Sequence, residues 1–228
     1  MTTQHDSVAV ILAVRRYLYE FLQHLFGNEP TAELLDAATS EHTRDTLELF
    51  LDEDDSLRSY LDMLAELTRA GTIDDAATLD KLKSEYTRLL IGPHELPAPP
   101  WESVYLSKER TLFQENTLQV RRTYLQYQFL PVNYPHEADD HLAIELDFMV
   151  HLAKLTQEQF EQRNTESTLK LLTDQKVFLE HHLLLWIDDF AEDIQNSKTR
   201  HFYPQTAMLT SRILKVDSGI LDELISVC

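Results

Sequence analysis

Residues 7–28 read SVAVILAVRRYLYEFLQHLFGN. Val10, Val14, Tyr17, Phe21 and Leu25 recur three and four apart, which is the period of one helix face, and Gly27-Asn28 supplies a stop. The spacing predicts a helix from about Ser7 to Phe26. Outward from it, only four glycines occur (Gly27, Gly71, Gly92, Gly219), far apart and each read as a stop or turn between apolar-periodic segments. Pro30 suits the first turn of a short second helix. Amphipathic stretches follow at about Glu41–Leu51 and Ser56–Ala70, separated by Asp52-Glu53-Asp54-Asp55, which reads as a solvated loop. A fifth helix is expected from about Asp74 to Ile91, with Leu79, Leu82, Tyr86, Leu89 and Leu90 on one face. No internal repeat and no alternating strand pattern interrupts this reading, so the fold class is all-α.

One segment departs from the pattern. Residues 92–101, GPHELPAPPW, hold four of the chain's eight prolines, and no helix runs through them. Leu96, Ala98, Trp101, Val104 and Tyr105 are too apolar for a flexible linker, so a fixed loop is expected. Helix resumes after Thr111, where Thr111 and Gln114 have the spacing of a capping box, and continues to about Gln128. A second loop, Leu130–Ala138, carries Pro131 and Pro135. Asp139 and Asp140 are then expected to open a long helix to about Gln162, carboxylates in a first turn complementing the helix dipole. Another long helix, about Glu166–Asp193, and two short terminal ones complete the count.

The chain has 228 residues, 43% of them apolar, enough to bury a sizeable core. Its formal charge is −19, from 20 Lys+Arg against 39 Asp+Glu. Nucleic acids and anionic membranes are therefore poor partners, because phosphate binding draws on Lys and Arg, whereas cationic peptides are steered toward such a surface. Cys228 is the only cysteine, which leaves no intrachain disulfide and no cysteine-based zinc site and suits a reducing cytosol. No run is long and apolar enough to cross a membrane. In Val8–Val14 followed by Arg15-Arg16, charge comes after the apolar run, the reverse of a signal peptide, so the arginine pair reads as a solvated helix face.

The common enzymatic motifs of helical proteins are missing from the sequence. No Glu has a His three residues later, as di-iron bundles need. His-Glu-x-x-His, Gly-x-Gly and Gly-x-Ser-x-Gly are missing as well. His141 with Glu145, and Asp147 with His151, stand at i, i+4 and so share helix faces, but ordinary helix-face pairs account for them. His181-His182 sits in an apolar stretch, so one of the two must turn inward, as a core histidine bonded to backbone or carboxylate. No cofactor and no metal are expected.

Three blocks then carry a resemblance. They are Glu85–Pro93 (EYTRLLIGP) leading into Ala98–Leu106 (APPWESVYL), Asp139–Met149 (DDHLAIELDFM), and Phe178–Trp186 (FLEHHLLLW). In this order they resemble the TorD/DmsD family of redox-enzyme maturation chaperones, which includes the more distant NarJ type. The resemblance implies a single all-α domain of about ten helices over residues 1–228, with hinge-like loops at about 92–110 and 130–138. It also implies a cytoplasmic chaperone, not an enzyme, that binds the twin-arginine leader or the apo form of a molybdopterin oxidoreductase catalytic subunit of the dimethyl sulfoxide or trimethylamine N-oxide reductase type. Such a chaperone assists cofactor insertion and holds the subunit before export.

By the same resemblance, Asp140 and His141 match the family's Asp-His associated with leader recognition. Trp101, Glu102, Ser103 and Tyr105 match its Pro-Pro-Trp-x-Ser-Val-Tyr block. A leader offers a cationic pair followed by an apolar helix, so the expected complement is an apolar groove of Trp101, Val104 and Tyr105 edged by Glu102, Asp139 and Asp140. An opposing reading makes Asp140 a helix cap and His141 a buried loop anchor. Two departures stand out: Ala138 where the family usually has proline, and Glu102 where some members have glycine. Proline loops between long helices leave both a monomer and a segment-swapped homodimer open. Two competing functions are a helical metal- or cofactor-binding enzyme using His141, Glu145 and His181, and a general adaptor for a basic partner.

Overall fold

A computed structural model of the chain describes residues 4–52, 54–69, 76–112, 114–132, 134–199 and 202–228. The described residues form eleven α-helices and two π-helical turns and no strand, in agreement with the expected all-α fold of about ten helices. In order these are α1 (Gln4–Gly27), α2 (Ala32–Thr39), α3 (Glu41–Leu51), α4 (Asp55–Arg69), α5 (Ala76–Tyr86) with a π turn (Thr87–Ile91), α6 (Glu102–Leu106), α7 (Glu115–Gln126), α8 (Leu142–Glu161), α9 (Thr165–Phe178) with a π turn (Leu179–Leu183), α10 (Leu184–Asn196) and α11 (Tyr203–Val227). Gly71 and Asp74, read as helix boundaries, lie outside the described residues.

The chain divides into two compact units. The first takes in residues up to Gln23, Trp101–Trp186 and from Leu214 onward; the second takes in His24–Pro100 and Ile187–Ile213. In the first unit α8 packs on α9, and an aromatic cluster fills the centre. Phe148 lies 4.7 Å from Tyr124 and 4.8 Å from Phe178 between ring centroids, all three fully buried. In the second, Phe26, Phe190, Tyr203 and Phe202 are buried together, with Phe26–Phe190 at 5.7 Å and Phe202–Tyr203 at 5.4 Å. The Tyr86 hydroxyl donates to the Phe26 carbonyl there at 3.2 Å.

The helix read from residues 7–28 is present and buries Phe21 and Leu25 of the expected face, but Val14 and Tyr17 are only half-buried and the main inward line is rotated from that face. Val10 is 49% exposed, while Val8, Leu12, Arg15, Tyr19, Leu22 and Phe26 form the inward line. Their spacings of four and three also satisfy the helical period. A run that is apolar on every side, such as Val8–Val14, does not say which of its faces goes in. Arg15, read as part of a solvated face, is therefore fully buried. Its guanidinium meets the Asp217 carboxylate at 2.5 and 2.9 Å and Gln175 Oε1 at 2.9 Å, and Tyr19 donates to Asp217 at 2.7 Å. Arg16 does stay at the surface, paired with Glu20.

Other boundaries moved for local reasons. Thr31, not Pro30, begins α2: its side chain accepts from the Leu34 N–H as the cap. Asp54, in the acidic run read as solvated, accepts from the Ser56 N–H at 2.9 Å and pairs with Arg212 at 2.7 Å. Thr111 caps nothing. Ser107 Oγ accepts from its N–H, and α7 begins four residues later behind Gln114, which makes no side-chain cap bond. The terminal pair of helices is one 25-residue helix, α11, with Gly219 inside it. Gly219 is thus not a stop, and a side chain there would meet nothing within 4 Å.

Candidate functional site

Sequence reading missed the short helix α6, and that helix organises the site. It starts directly after the proline segment, with Trp101 as its cap residue. Trp101 forms an isolated antiparallel bridge with His141, and the Glu102 N–H donates to the Asp140 carbonyl at 3.0 Å. Two blocks forty residues apart in sequence are thereby stitched together at backbone level.

Asp139 and Asp140 do not sit in the first turn of the long helix. They lie in the turn before α8, whose cap is His141: its Nδ1 accepts from the Ala143 N–H at 3.1 Å. Asp140 is fully buried and caps the other helix, its Oδ2 accepting from the Ser103 N–H at 2.9 Å. Asp139, 2% exposed, takes the Arg121 guanidinium at 2.5 Å, and its carbonyl accepts from Tyr124 at 2.9 Å. A carboxylate held by orphan N–H groups of a helix start is in the setting the helix dipole favours.

The remaining predicted residues divide between surface and interior. Trp101 and His141 are partly exposed, ring against ring at 5.6 Å and 81°. The Trp101 indole N–H donates to Glu137 Oε1 at 2.9 Å. Glu137 was not singled out in the sequence; it stands in the loop that reads there only as proline-bearing. Tyr105 is partly exposed, stacked on Trp186 at 5.3 Å and covered by Arg110. Ser103 is fully buried. Burial lowers the His141 pKa against the opposing pull of Glu137 and Asp140, so its ring is a neutral acceptor, as the cap bond requires.

Glu102 turns inward. Its Oε1 accepts from Asn116 at 3.1 Å and its Oε2 meets His182 Nδ1 at 2.9 Å. Of the two adjacent histidines, His182 is the inward one, bonded to a carboxylate as expected for a core histidine, and His181 is exposed. Glu145 is fully buried in the first turn of α8, and neither of its oxygens makes a hydrogen bond of ordinary geometry, the Glu102 carboxylate and the Trp186 indole being its near polar neighbours. Desolvation, and then the Glu102 charge, push its pKa well above the usual carboxylate range. Glu145 is thus brought together with Glu102 and His182, one ligating atom of each lying within 4.8 Å of the others, and not with His181. These three are the described residues that could hold a metal ion.

In the second unit the Glu85–Pro93 block runs through the π turn into Gly92, whose φ of 104° is left-handed and suits glycine alone. It borders a cavity of about 670 Å³ lined by Lys83, Arg88, His94, Glu29, Asp80 and Glu95 among others.

The probable Tat proofreading chaperone DmsD of Haemophilus influenzae is 33% identical over 134 residues, 59% of each chain. The chaperone protein TorD of Aliivibrio salmonicida is 26% identical over 91% of this chain and 94% of its own length. TorD of Vibrio cholerae is 29% identical over 96% and 97%. Residues 51–192, which include both stitched blocks, match the family described as nitrate reductase delta subunit. The chain belongs to that family and, with its TorD and DmsD relatives, to the redox-enzyme maturation chaperones and not to the enzymes.

Proposed function

We propose that this chaperone acts in the cytoplasm on the catalytic subunit of a molybdopterin oxidoreductase of the dimethyl sulfoxide or trimethylamine N-oxide reductase type. It binds the twin-arginine leader, the apo subunit or both, assists cofactor insertion and holds the subunit before export. The observation that carries this reading is the junction of Trp101 with His141. Two chain segments that match the family's leader-recognition blocks meet there, and their rings and the Glu137 carboxylate reach the surface together. An aromatic face beside a carboxylate suits a peptide with an apolar segment and a cationic pair. The buried Asp140 of the same turn holds the two segments in register, Asp139 ties that turn to α7 through Arg121 and Tyr124, and Glu102, Ser103 and Tyr105 fix α6 beneath them.

The test is a tagged pull-down from anaerobically grown source cells, with partners identified by mass spectrometry, followed by titration with the leader peptide of any molybdoenzyme recovered. Recovery of such a subunit, with leader binding weakened when its arginine pair is replaced and when Trp101→Ala is used, supports the reading. Recovery of no such subunit, or leader binding indifferent to both changes, overturns it.

A further inference from the structure

We infer that Glu102, Glu145 and His182 form a binding site for one divalent transition-metal ion. The three side chains come from separate elements: α6, the first turn of α8, and the π turn that joins α9 to α10. Single-turn π geometry recurs at functional sites in helices. Glu102 and Glu145 are 0% exposed and His182 is 7% exposed. One oxygen of each carboxylate and one imidazole nitrogen already lie within 4.8 Å of one another. Ligands at about 2.0–2.2 Å from a tetrahedral ion stand roughly 3.4 Å apart, so small rotations of the side chains would close the set.

The second observation is Glu145 itself. Buried polar groups are nearly always partnered, yet neither of its oxygens makes a hydrogen bond of ordinary geometry, although the Glu102 carboxylate and the Trp186 indole lie close by. The groups around it are the His182 imidazole, the Glu102 and Asp140 carboxylates and the Trp186 indole, with no lysine or arginine among them. Two carboxylates facing each other in a dry interior repel unless a proton or a cation sits between them. A divalent cation balances both charges. Two carboxylate oxygens and one neutral imidazole nitrogen form a donor set that zinc and its neighbours accept.

The surroundings also resemble those of a supported metal site. Asn116 donates to Glu102 Oε1 at 3.1 Å and so orients that carboxylate, as groups behind metal ligands commonly do. The bond between His182 Nδ1 and Glu102 Oε2 shows that the imidazole is already turned toward the centre. The site shares Glu102 with α6, beneath the junction of Trp101 with His141, but neither of those rings is among its ligands.

The probe is zinc chloride titrated calorimetrically into full-length chain stripped with a chelator, with cobalt substitution read by absorption. The expected result is saturable binding of one ion per chain and a rise in melting temperature. Affinity should fall by more than tenfold in Glu145→Gln and Glu102→Gln and stay unchanged in His181→Ala, which alters an exposed histidine. Circular dichroism checks that the variants remain helical. Should a variant not fold, X-ray absorption of the cobalt-loaded natural chain decides, because the site requires one imidazole nitrogen, oxygen ligands and no sulfur. No saturable binding, affinity untouched by Glu145→Gln, or a shell with sulfur or several imidazoles overturns the assignment.

Discussion

Arg15 and Asp217 stand 202 residues apart and are both fully buried, joined by two charged hydrogen bonds with Gln175 and Tyr19 completing the set. Burial opposes the Arg15 charge, but Asp217 outweighs it and the guanidinium pKa rises. Removing one partner leaves the other charge buried without compensation, which costs about 3–5 kcal/mol. Asp217→Ala should lose that much in urea unfolding, and the double change Arg15→Met with Asp217→Leu should recover most of it. A single variant as stable as the natural chain would contradict the buried pair. His141 supports a prediction of the opposite kind. An unfolded histidine takes its proton near pH 6.5, whereas burial moves the folded His141 lower. Below pH 6.5 the unfolded state therefore binds more protons, and stability falls as pH drops toward the folded pKa. His141→Asn keeps a cap acceptor without the titration, so the natural chain should lose stability relative to it between pH 7.5 and 5.5. Parallel unfolding curves would rule this out. The Arg15 role was not legible in the sequence, whereas a buried anchor at His141 was one of the two readings open there. Arg15 stands next to Arg16 with nothing nearby to mark it as the inward one, and its partner lies at the other end of the chain.

Helices were far more legible than their faces and ends. α3 matched its expected bounds because a polar cap, Ser40, and an amphipathic stripe agree locally. The Thr111–Gln114 spacing misled because Ser107, upstream, captures the Thr111 N–H first, and α6 was hidden because its caps come from Asp140, 37 residues away. Glycine read as punctuation was right at Gly92 and wrong at Gly219, and substitution separates the two. Gly219→Ala, inside α11 with open space around it, should stabilise by about 0.5–1 kcal/mol, seen as a melting temperature higher by roughly 1–4 °C. Gly92→Ala forces a side chain to φ 104° at the end of the π turn and should destabilise by about 1 kcal/mol or more. If the two changes shift the melting temperature in the same direction, the distinction between a helical glycine and a left-handed one fails here.

Charge acts at the scale of the whole molecule, and it was fully legible, since a net −19 follows from composition alone. The candidate site shows why composition could not say more: Glu102, Asp139, Asp140 and Glu145, counted among the acidic residues, are buried and serve the interior. What a diffusing peptide meets is the long-range field of the remaining surface carboxylates, with Glu137 the one beside Trp101. Fields of this kind raise association rates of oppositely charged ligands and are screened over about 10 Å at 0.1 M salt. On the proposed leader-binding reading, stopped-flow association of a cationic leader peptide should therefore slow by more than tenfold between 20 mM and 500 mM salt, while dissociation, which that reading assigns to the short-range Trp101 and His141 contacts, changes little. Glu137→Gln removes one local charge out of many and should leave most of that salt dependence in place while speeding dissociation. If the association rate is flat across salt, the molecule's field plays no part in capture. If Glu137→Gln abolishes the salt dependence, capture is local and the net charge serves some other end.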